Sequence, residues 1–244
     1  MDKVIELAVD DGLFYTLQGE GKRVGHPCTF IRTNLCNLRC SWQNRDGSIT
    51  RCDTPHTSFE PNGTKVSIDK ILEYVLLQPS YEVVVSGGEP YFQKSVVDLF
   101  EELHRAGRFV TVETNGTIYR EAPVDFISIS PKLKSSSACP INGKKHDNNR
   151  INYGALAQFI SNHNYQFKFV INEESEIIEI EEIRSELKKR TGIDISDKIY
   201  LMPQGISEEQ FKEKNEWLFE VCKRKNWKYT PRYHIHVYGA RKGV

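Results

Sequence analysis

The chain has 244 residues, of which 39% are hydrophobic and 11% aromatic, so it is long enough for one large α/β domain or two small ones. Its 33 basic and 33 acidic residues give no net charge, which argues against nucleic acid as a direct partner because nucleic-acid binders are usually basic. No apolar run approaches membrane-spanning length, and residues 1–12 lack the basic and apolar regions of a secretory signal.

These features predict a cytoplasmic protein without a membrane partner, in a compartment where thiols stay reduced. The chain contains six cysteines. In such a compartment, cysteines indicate a metal site or catalysis more than disulfides.

Short apolar runs alternate with longer amphipathic segments along the chain. Strands are predicted at 81–86, 109–114, 125–130, 165–172, 198–203 and 233–239. Helices are predicted at 95–107, 151–163, 174–192 and 207–225. Strands that alternate with helices favour βα units and a mostly parallel sheet.

Polar loops follow four of these strands. They read SGGEP (86–90), ETNG (113–116), SPK (130–132) and MPQG (202–205). Ligands bind at the carboxyl ends of the strands in parallel α/β sheets and barrels. We therefore expect the four loops to converge on one site.

Three cysteines, Cys36, Cys40 and Cys52, lie close together in sequence. Together with His56 they could hold a structural zinc ion, which usually has four ligands. Alternatively, three thiolates could bind an iron–sulfur cluster and leave one iron open for a cofactor or substrate.

The segment CNLRCSW (36–42) followed by CDTPHT (52–57) resembles the C-x3-C-x2-C signature of the radical S-adenosylmethionine (SAM) superfamily, with nine extra residues, Gln43–Arg51. The stretch 15–40, the four loops and the closing PRYHIHVYGARKGV (231–244) resemble the 7-carboxy-7-deazaguanine synthase family over nearly the whole chain. The resemblance implies an α/β fold with an incomplete βα barrel, in a single domain over 1–244.

The nine extra residues are polar and contain Asp46-Gly47, a turn signal. Lengthening a flexible connection about fourfold costs only about 1 kcal/mol of closure entropy. We therefore expect an outward loop that returns Cys52 to the cluster and takes no part in the chemistry. The alternative is that Cys52 is not a ligand.

The resemblance also implies the cofactors and their ligands. Cys36, Cys40 and Cys52 would each bind one iron of a 4Fe–4S cluster, whose fourth iron would bind SAM; no further catalytic side chain is implied. The residues expected at SAM are Gly87, Gly88, Glu89, Glu113, Asn115, Ser130, Pro131 and Lys132, with the Glu89 carboxylate facing an ammonium group.

A pterin-like substrate is implied as well. The residues expected to contact it are Leu17, Gln18, Gly19, Glu20, Arg32 and Ser86. Arg32 would bind the substrate carboxylate through a guanidinium fork, or form an ordinary ion pair. Thr54 would be a ligand of Mg²⁺; alternatively, Asp53 and Thr54 cap a helix before Pro55.

The implied reaction converts 6-carboxy-5,6,7,8-tetrahydropterin to 7-carboxy-7-deazaguanine and ammonia, begun by a 5′-deoxyadenosyl radical that takes hydrogen from C6. The resemblance further implies an electron donor such as flavodoxin or ferredoxin, and a homodimer. Two alternatives are an activase that places a radical on a partner enzyme's glycine, and a zinc-stabilised binding module.

Overall fold

The computed structural model describes residues 3–44, 47–138, 143–239 and 241–244. Its strands are β1 (Val4–Ala8), β2 (Leu13–Leu17), β3 (Pro27–Thr33), β4 (Ser41–Gln43), β5 (Ile49–Arg51), β6 (Gly63–Ser67), β7 (Glu82–Gly87), β8 (Phe109–Thr114), β9 (Phe126–Ile129), β10 (Tyr165–Ile171), β11 (Ile199–Pro203) and β12 (Lys228–Tyr229). Its α-helices are α1 (Ile68–Leu77), α2 (Val96–Arg105), α3 (Gly143–Asn149), α4 (Tyr153–Asn162), α5 (Glu176–Thr191), α6 (Glu208–Lys225) and α7 (Tyr233–Tyr238).

One large sheet runs in the order β12-β11-β10-β9-β8-β7-β3-β1-β6, with β2 paired to β3. Every neighbouring pair from β3 to β12 is parallel, whereas β1 and β2 run antiparallel to β3 and β6 runs antiparallel to β1. The predicted βα units and the mostly parallel sheet of a partial barrel are thus confirmed. In the described chain the strands form an open path.

Local sequence signals set several helix boundaries. The side chains of Ser67, Asn152 and Ser207 accept hydrogen bonds from the first turns of α1, α4 and α6. Gly192 and Asn226 end α5 and α6 in the left-handed conformation. The helices predicted from the sequence are therefore present close to their expected limits.

Helices cover the sheet through apolar stripes. In α2 the buried residues are Val96, Leu99, Phe100 and Leu103, a spacing that lines up one face of a helix. Their side chains belong to a continuous core that reaches along the chain from Ile5 to Trp227. Within the described residues, no helix combines the length and apolar character needed to cross a membrane.

The predicted last strand, 233–239, is wrong, because this segment forms α7. Pro231 lacks a backbone donor and therefore cannot extend the ladder after β12. A strand would place Tyr233, Ile235 and Val237 on one face, yet only Ile235 is buried. One helical turn buries that residue and leaves the other two exposed.

Candidate functional site

The polar loops after the parallel strands converge on one cavity of about 700 Å³, a size typical of ligand sites. The predicted site residues that line it are Leu17, Gln18, Gly19, Glu20, Arg32, Cys36, Cys40, Cys52, Thr54, Ser86, Gly87, Gly88, Glu113, Asn115, Ser130 and Lys132. The expectation that separate loops meet at the carboxyl edge of the sheet is confirmed.

The three predicted cluster cysteines lie at one end of this cavity. Cys36 and Cys52 pack against a small cluster formed by Leu38, Cys40 and Trp42. The backbone N–H of Cys52 donates to the carbonyl of Cys40 at 2.9 Å, so the chain returns beside the second thiol. One buried and two partly buried thiols lining the same cavity fit an iron–sulfur cluster with an open iron.

Burial governs the protonation of these thiols. It raises the pKa of Cys36 to about 12, and it also raises the pKa values of Cys40 and Cys52. The backbone N–H of Leu38 points at the Cys36 sulfur at 3.4 Å and opposes this rise. Binding of iron must therefore release protons from the site.

The other cysteines have different surroundings. Cys28 lies in an apolar cluster with Phe14, Phe30 and Val84, and Cys222 belongs to the main core. Cys139 lies outside the described residues.

The extra residues 43–51 do not form a loose outward loop, and that expectation is corrected. Strands β4 and β5 pair as an antiparallel hairpin in which Ser41 faces Arg51. Ile49 and Arg51 line the cavity, while Trp42 is buried against Cys40. The Asp46 half of the predicted turn lies outside the described residues. The hairpin thus explains how Cys40 and Cys52 can be close in space although they are far apart in the motif, because antiparallel pairing brings Cys52 back to Cys40.

We expect deletion of Gln43–Arg51 to retain the cluster. The deletion would join Trp42 to Cys52, so that Cys40 and Cys52 become the first and last residues of a four-residue turn. Such turns often contain a hydrogen bond from the last N–H to the first carbonyl, the bond that the hairpin makes here. Iron content and SAM cleavage should persist, while the loss of one cavity wall should raise the KM for substrate.

Iron and sulfide analysis, with steady-state kinetics, checks this prediction. A folded deletion protein without iron would show that the hairpin itself is needed to aim the Cys52 thiolate.

The paired glycines pack the loop after β7 onto the cysteine loop. A Cβ on Gly87 would lie 2.1 Å from the Thr33 carbonyl oxygen, and one on Gly88 would lie 2.0 Å from that of Leu35. Gly87 also has a φ of +124°, which favours glycine. The absence of side chains at both glycines therefore lets the backbone after β7 lie directly against the backbone that precedes Cys36.

Glu89 lies between the loops that follow β7 and β8. Its carboxylate is fully buried and accepts hydrogen bonds from the backbone N–H groups of Tyr91 and Asn115 and from the Thr114 hydroxyl. Burial raises its pKa to about 7 despite these donors. Glu89 does not line the cavity and joins the loops after β7 and β8 through these bonds, while its predicted contact with an ammonium group stays a prediction.

The other residues predicted at SAM lie next to the cysteines. Asn115 lines the cavity and donates from Nδ2 to the Asn37 side chain at 2.9 Å. Lys132 donates to the Ser130 hydroxyl at 2.9 Å, and both line the cavity. Pro131 is buried but does not line the cavity.

Glu113 belongs with the residues predicted for the substrate. Gln18 Nε2 donates to one carboxylate oxygen at 3.2 Å, and the Ser86 hydroxyl donates to the other at 2.8 Å. The Lys168 ammonium is 3.7 Å away. Glu113 therefore lies beside Gln18 and Ser86, and its expected role at SAM stays a prediction.

Sequence reasoning missed a buried charge network in the cavity. Glu20 pairs with Lys168 through one carboxylate oxygen and with the Arg232 Nε, at 3.1 Å, through the other. Arg232 also pairs with Asp53 and donates to the Gly205 carbonyl. Burial alone would raise the pKa of Glu20, but the charges of Lys168 and Arg232 hold this pKa well below its usual range. The sequence does contain one signal of this network, because Lys168 is a lysine within the buried strand β10 and buried lysines are usually paired.

A second network surrounds Arg32. Its Nε lies 2.7 Å from Asp11 Oδ2, and the His56 Nε2 lies 2.9 Å from Asp11 Oδ1. Arg32 lines the cavity at the same time, and its guanidinium stacks over the Phe14 ring at 5.6 Å. One edge of the guanidinium is thus fixed by an ion pair beside the cavity.

The structure separates His56 from a role at the thiols, since it contacts Asp11 instead. In the described parts of the chain, no group of three His, Cys, Asp or Glu side chains is placed to hold one metal ion. Thr54 lines the cavity, and its hydroxyl lies 3.4 Å from the Cys52 sulfur. That hydroxyl makes no cap to the following helical turn, so the capping alternative lacks support.

Comparison with known proteins is consistent with this site. Residues 30–151 match the model of the Radical SAM superfamily. A 7-carboxy-7-deazaguanine synthase of Halobacterium salinarum is 37% identical over 239 residues, which cover 93% of this chain and 88% of the relative. One of Rhodopirellula baltica is 37% identical over 236 residues, covering 95% and 86%. The crystal structure of QueE from Escherichia coli shares the fold, with a TM-score of 0.68 at 22% identity over 93% of each chain.

Proposed function

The chain belongs to the 7-carboxy-7-deazaguanine synthase family of the radical SAM superfamily, and from this premise we propose that it converts 6-carboxy-5,6,7,8-tetrahydropterin to 7-carboxy-7-deazaguanine and ammonia. It is an enzyme whose cofactors are a 4Fe–4S cluster and SAM. The observation that carries the proposal is the meeting of three clustered thiols with the largely buried ion pairs of Glu20, Lys168 and Arg232 in one cavity.

In this proposal one end of the cavity holds the cofactors and the other end binds the substrate. When bound, the cluster and SAM supply one-electron cleavage of a carbon–sulfur bond and hence the 5′-deoxyadenosyl radical. Cys36, Cys40 and Cys52 would hold the cluster through three of its irons and leave the fourth available to SAM. Substrate and product differ by one molecule of ammonia, so the reaction needs no net oxidant and is a lyase reaction.

The substrate end suits a pterin. Gln18, Glu20, Glu113 and Ser86 offer paired donors and acceptors, as the amide and amino edges of a pterin require. A buried site of this kind discriminates strongly, because a ligand that leaves such groups unpaired loses the full cost of their desolvation.

Anaerobic incubation of the reconstituted holoenzyme with the carboxytetrahydropterin, SAM and a reductant tests the proposal. Mass analysis should detect a product lighter than the substrate by one ammonia. Cleavage of SAM with the pterin unchanged would overturn it. A glycine radical on an added partner enzyme would instead favour the activase alternative. The electron donor, of the flavodoxin or ferredoxin kind, and the homodimer belong to the same proposal.

We expect Arg32→Lys to weaken substrate binding. Lysine keeps the charge but cannot hold Asp11 and a substrate carboxylate with one planar group. The KM for the pterin should rise about tenfold or more, the loss expected when a bidentate charged hydrogen bond is removed. Cleavage of SAM without substrate should continue. Arg224→Lys, at an exposed pair with Glu174, is the control, and an unchanged KM for Arg32→Lys would remove Arg32 from the substrate site.

We also propose that Thr54 binds Mg²⁺ together with the substrate carboxylate. The support is its place in the cavity wall, directly after Cys52 and Asp53, with a hydroxyl that caps nothing. Mg²⁺ prefers oxygen ligands and keeps several waters.

Thr54→Val removes this hydroxyl at nearly constant volume. The Mg²⁺ concentration for half-maximal turnover should rise by about tenfold, as expected for the loss of a directly bound group. Titration of the chelated enzyme with Mg²⁺ measures the shift, and Thr64→Val, at an exposed position of β6 that does not line the cavity, is the control. Equal titrations for wild type and Thr54→Val would contradict the assignment.

A further inference from the structure

A buried histidine lies behind the cysteine loop, outside the cavity. His146 of α3 is 2% exposed and contacts the loop at Arg39, the residue before Cys40. We propose that His146, held by Ser136, is a positioning residue for the iron–sulfur cluster: it accepts the Arg39 backbone N–H and so fixes the turn between Cys36 and Cys40.

The hydrogen bonds define one orientation of the ring. The Arg39 N–H donates to His146 Nδ1 at 3.1 Å, so Nδ1 carries no proton. His146 Nε2 lies 2.9 Å from the Ser136 hydroxyl oxygen, and that hydroxyl donates to the Leu133 carbonyl at 2.6 Å. Because the serine proton is already committed to Leu133, Nε2 must be the donor to Ser136.

A single chain of hydrogen bonds results, from the Arg39 N–H through the imidazole and the Ser136 hydroxyl to the Leu133 carbonyl. Each buried group in this chain has its partner, which is the condition under which a buried polar network rigidifies its surroundings. Only a neutral ring can accept at Nδ1. Burial lowers the pKa of His146 to about 4, so the ring is neutral at neutral pH.

The turn that His146 contacts is otherwise held from within. The Arg39 guanidinium donates to the carbonyls of Cys36 and Leu38 at 2.7 and 2.8 Å, and the Leu38 N–H points at the Cys36 sulfur. These bonds leave the Arg39 N–H as a partly buried donor without an acceptor inside the turn. His146 supplies it.

The same support reaches the residue after Cys40. Ser41 forms a parallel bridge with Ser137, and the Ala138 N–H donates to the Ser41 carbonyl at 3.2 Å. Ser136 therefore belongs to a segment that borders the cysteine loop on two sides. Groups that orient the ligands of a metal usually change metal affinity by about 10- to 100-fold when they are removed.

Three variants separate the acceptor from the bulk of the side chain. His146→Leu keeps an apolar body and removes the acceptor. His146→Asn places an amide oxygen near the position of Nδ1. Ser136→Ala removes the group that fixes the tautomer. His163→Leu, which alters another partly buried histidine packed against Tyr119 and Phe159, is the matched control.

The readouts concern the cluster itself, on the full chain reconstituted anaerobically: iron and sulfide content, the rate of cluster loss to a chelator, and the midpoint potential of the cluster. We expect His146→Leu to lose its cluster about tenfold faster than wild type and to shift the potential, with Ser136→Ala intermediate. His146→Asn should recover most of the wild-type behaviour, and His163→Leu should match wild type.

Two outcomes would overturn the proposal. One is a His146→Leu protein with wild-type cluster content, loss rate and potential. The other is a folded His146→Asn protein as deficient as His146→Leu, which would deny the role of the acceptor. If His146→Leu does not fold, His146→Asn and Ser136→Ala still decide the matter, because their wild-type or altered potentials test the same bond. These readouts require no pterin substrate, so they are independent of the proposed reaction.

Discussion

Replacement of any one of Cys36, Cys40 and Cys52 with alanine should abolish both the bound iron and all turnover. By the proposed assignment each thiolate would bind a different iron, so each replacement would leave the cluster with only two protein ligands. The structure strengthens this expectation for Cys52 in particular, since its N–H bonds to the Cys40 carbonyl and its sulfur lies on the same cavity wall. Iron analysis and the absorbance near 400 nm measure the loss.

Cys28→Ala and Cys222→Ala are the controls. Both thiols are buried in apolar surroundings away from the cavity, so each change should cost only about 1 kcal/mol of stability and leave the iron in place. Full iron loading in the Cys52→Ala protein would show that Cys52 is not a ligand of the cluster.

The parallel strands of the sheet could be predicted from sequence because both of their faces are covered. Val83, Val84 and Val85 of β7 are all fully buried, and such a continuous apolar run is typical of a central parallel strand. The closing segment was predicted wrongly because the alternation in YHIHVY suits a strand, while Pro231 and a single buried residue decide for a helix.

The hairpin was missed for a different reason. Its polar residues suggested a loop, and its pairing depends on Trp42, which is buried only because the cysteine loop lies beside it. Gly47 has a φ of +84° and its N–H donates to the Asn44 carbonyl, a local turn that the sequence does indicate.

In the candidate site, residues inside short motifs were predictable and distant partners were not. Gln18 and Ser86 came from the motifs, whereas Lys168, Arg232 and His146 act through contacts across the sheet. A spacing pattern identifies which residues share a loop, but the partner of a buried charge depends on tertiary packing. Arg232 shows this most clearly, since its partner Glu20 is 212 residues away in sequence.

Arg232→Met should strongly destabilise the protein and stop turnover. The change leaves Asp53, whose side chain is 43% exposed, without its cation and removes one of the two cations at the mostly buried Glu20. Removing one partner of a buried ion pair typically costs about 3–5 kcal/mol, because the other charge remains unpaired. The cost here should lie at the lower end of that range, since Glu20 keeps Lys168 and water reaches Asp53. The free energy of unfolding in urea, measured anaerobically, gives the effect. Arg224→Met, at a pair with Glu174 that is more than half exposed, is the matched control and should cost at most about 1 kcal/mol.

Two further measurements show whether the unpaired charge is the cause. The double variant Arg232→Met with Asp53→Asn should recover part of the lost stability, since it neutralises the unpaired carboxylate.

The second measurement is the dependence of the unfolding free energy on pH. In the wild type, desolvation alone would raise the pKa of Asp53, but the charge of Arg232 outweighs desolvation and lowers this pKa to about 2. A carboxylate with a lowered pKa stabilises the fold above its unfolded value of about 4 and loses that contribution as the pH falls towards 2. The stability difference between wild type and Arg232→Met should therefore be constant above about pH 5 and narrow below about pH 4. A stability difference that stays constant down to pH 2, with no recovery in the double variant, would contradict this explanation. Arg232 would then stabilise the protein through packing and its bond to the Gly205 carbonyl, and its charge would not hold Asp53 beside the cysteine loop.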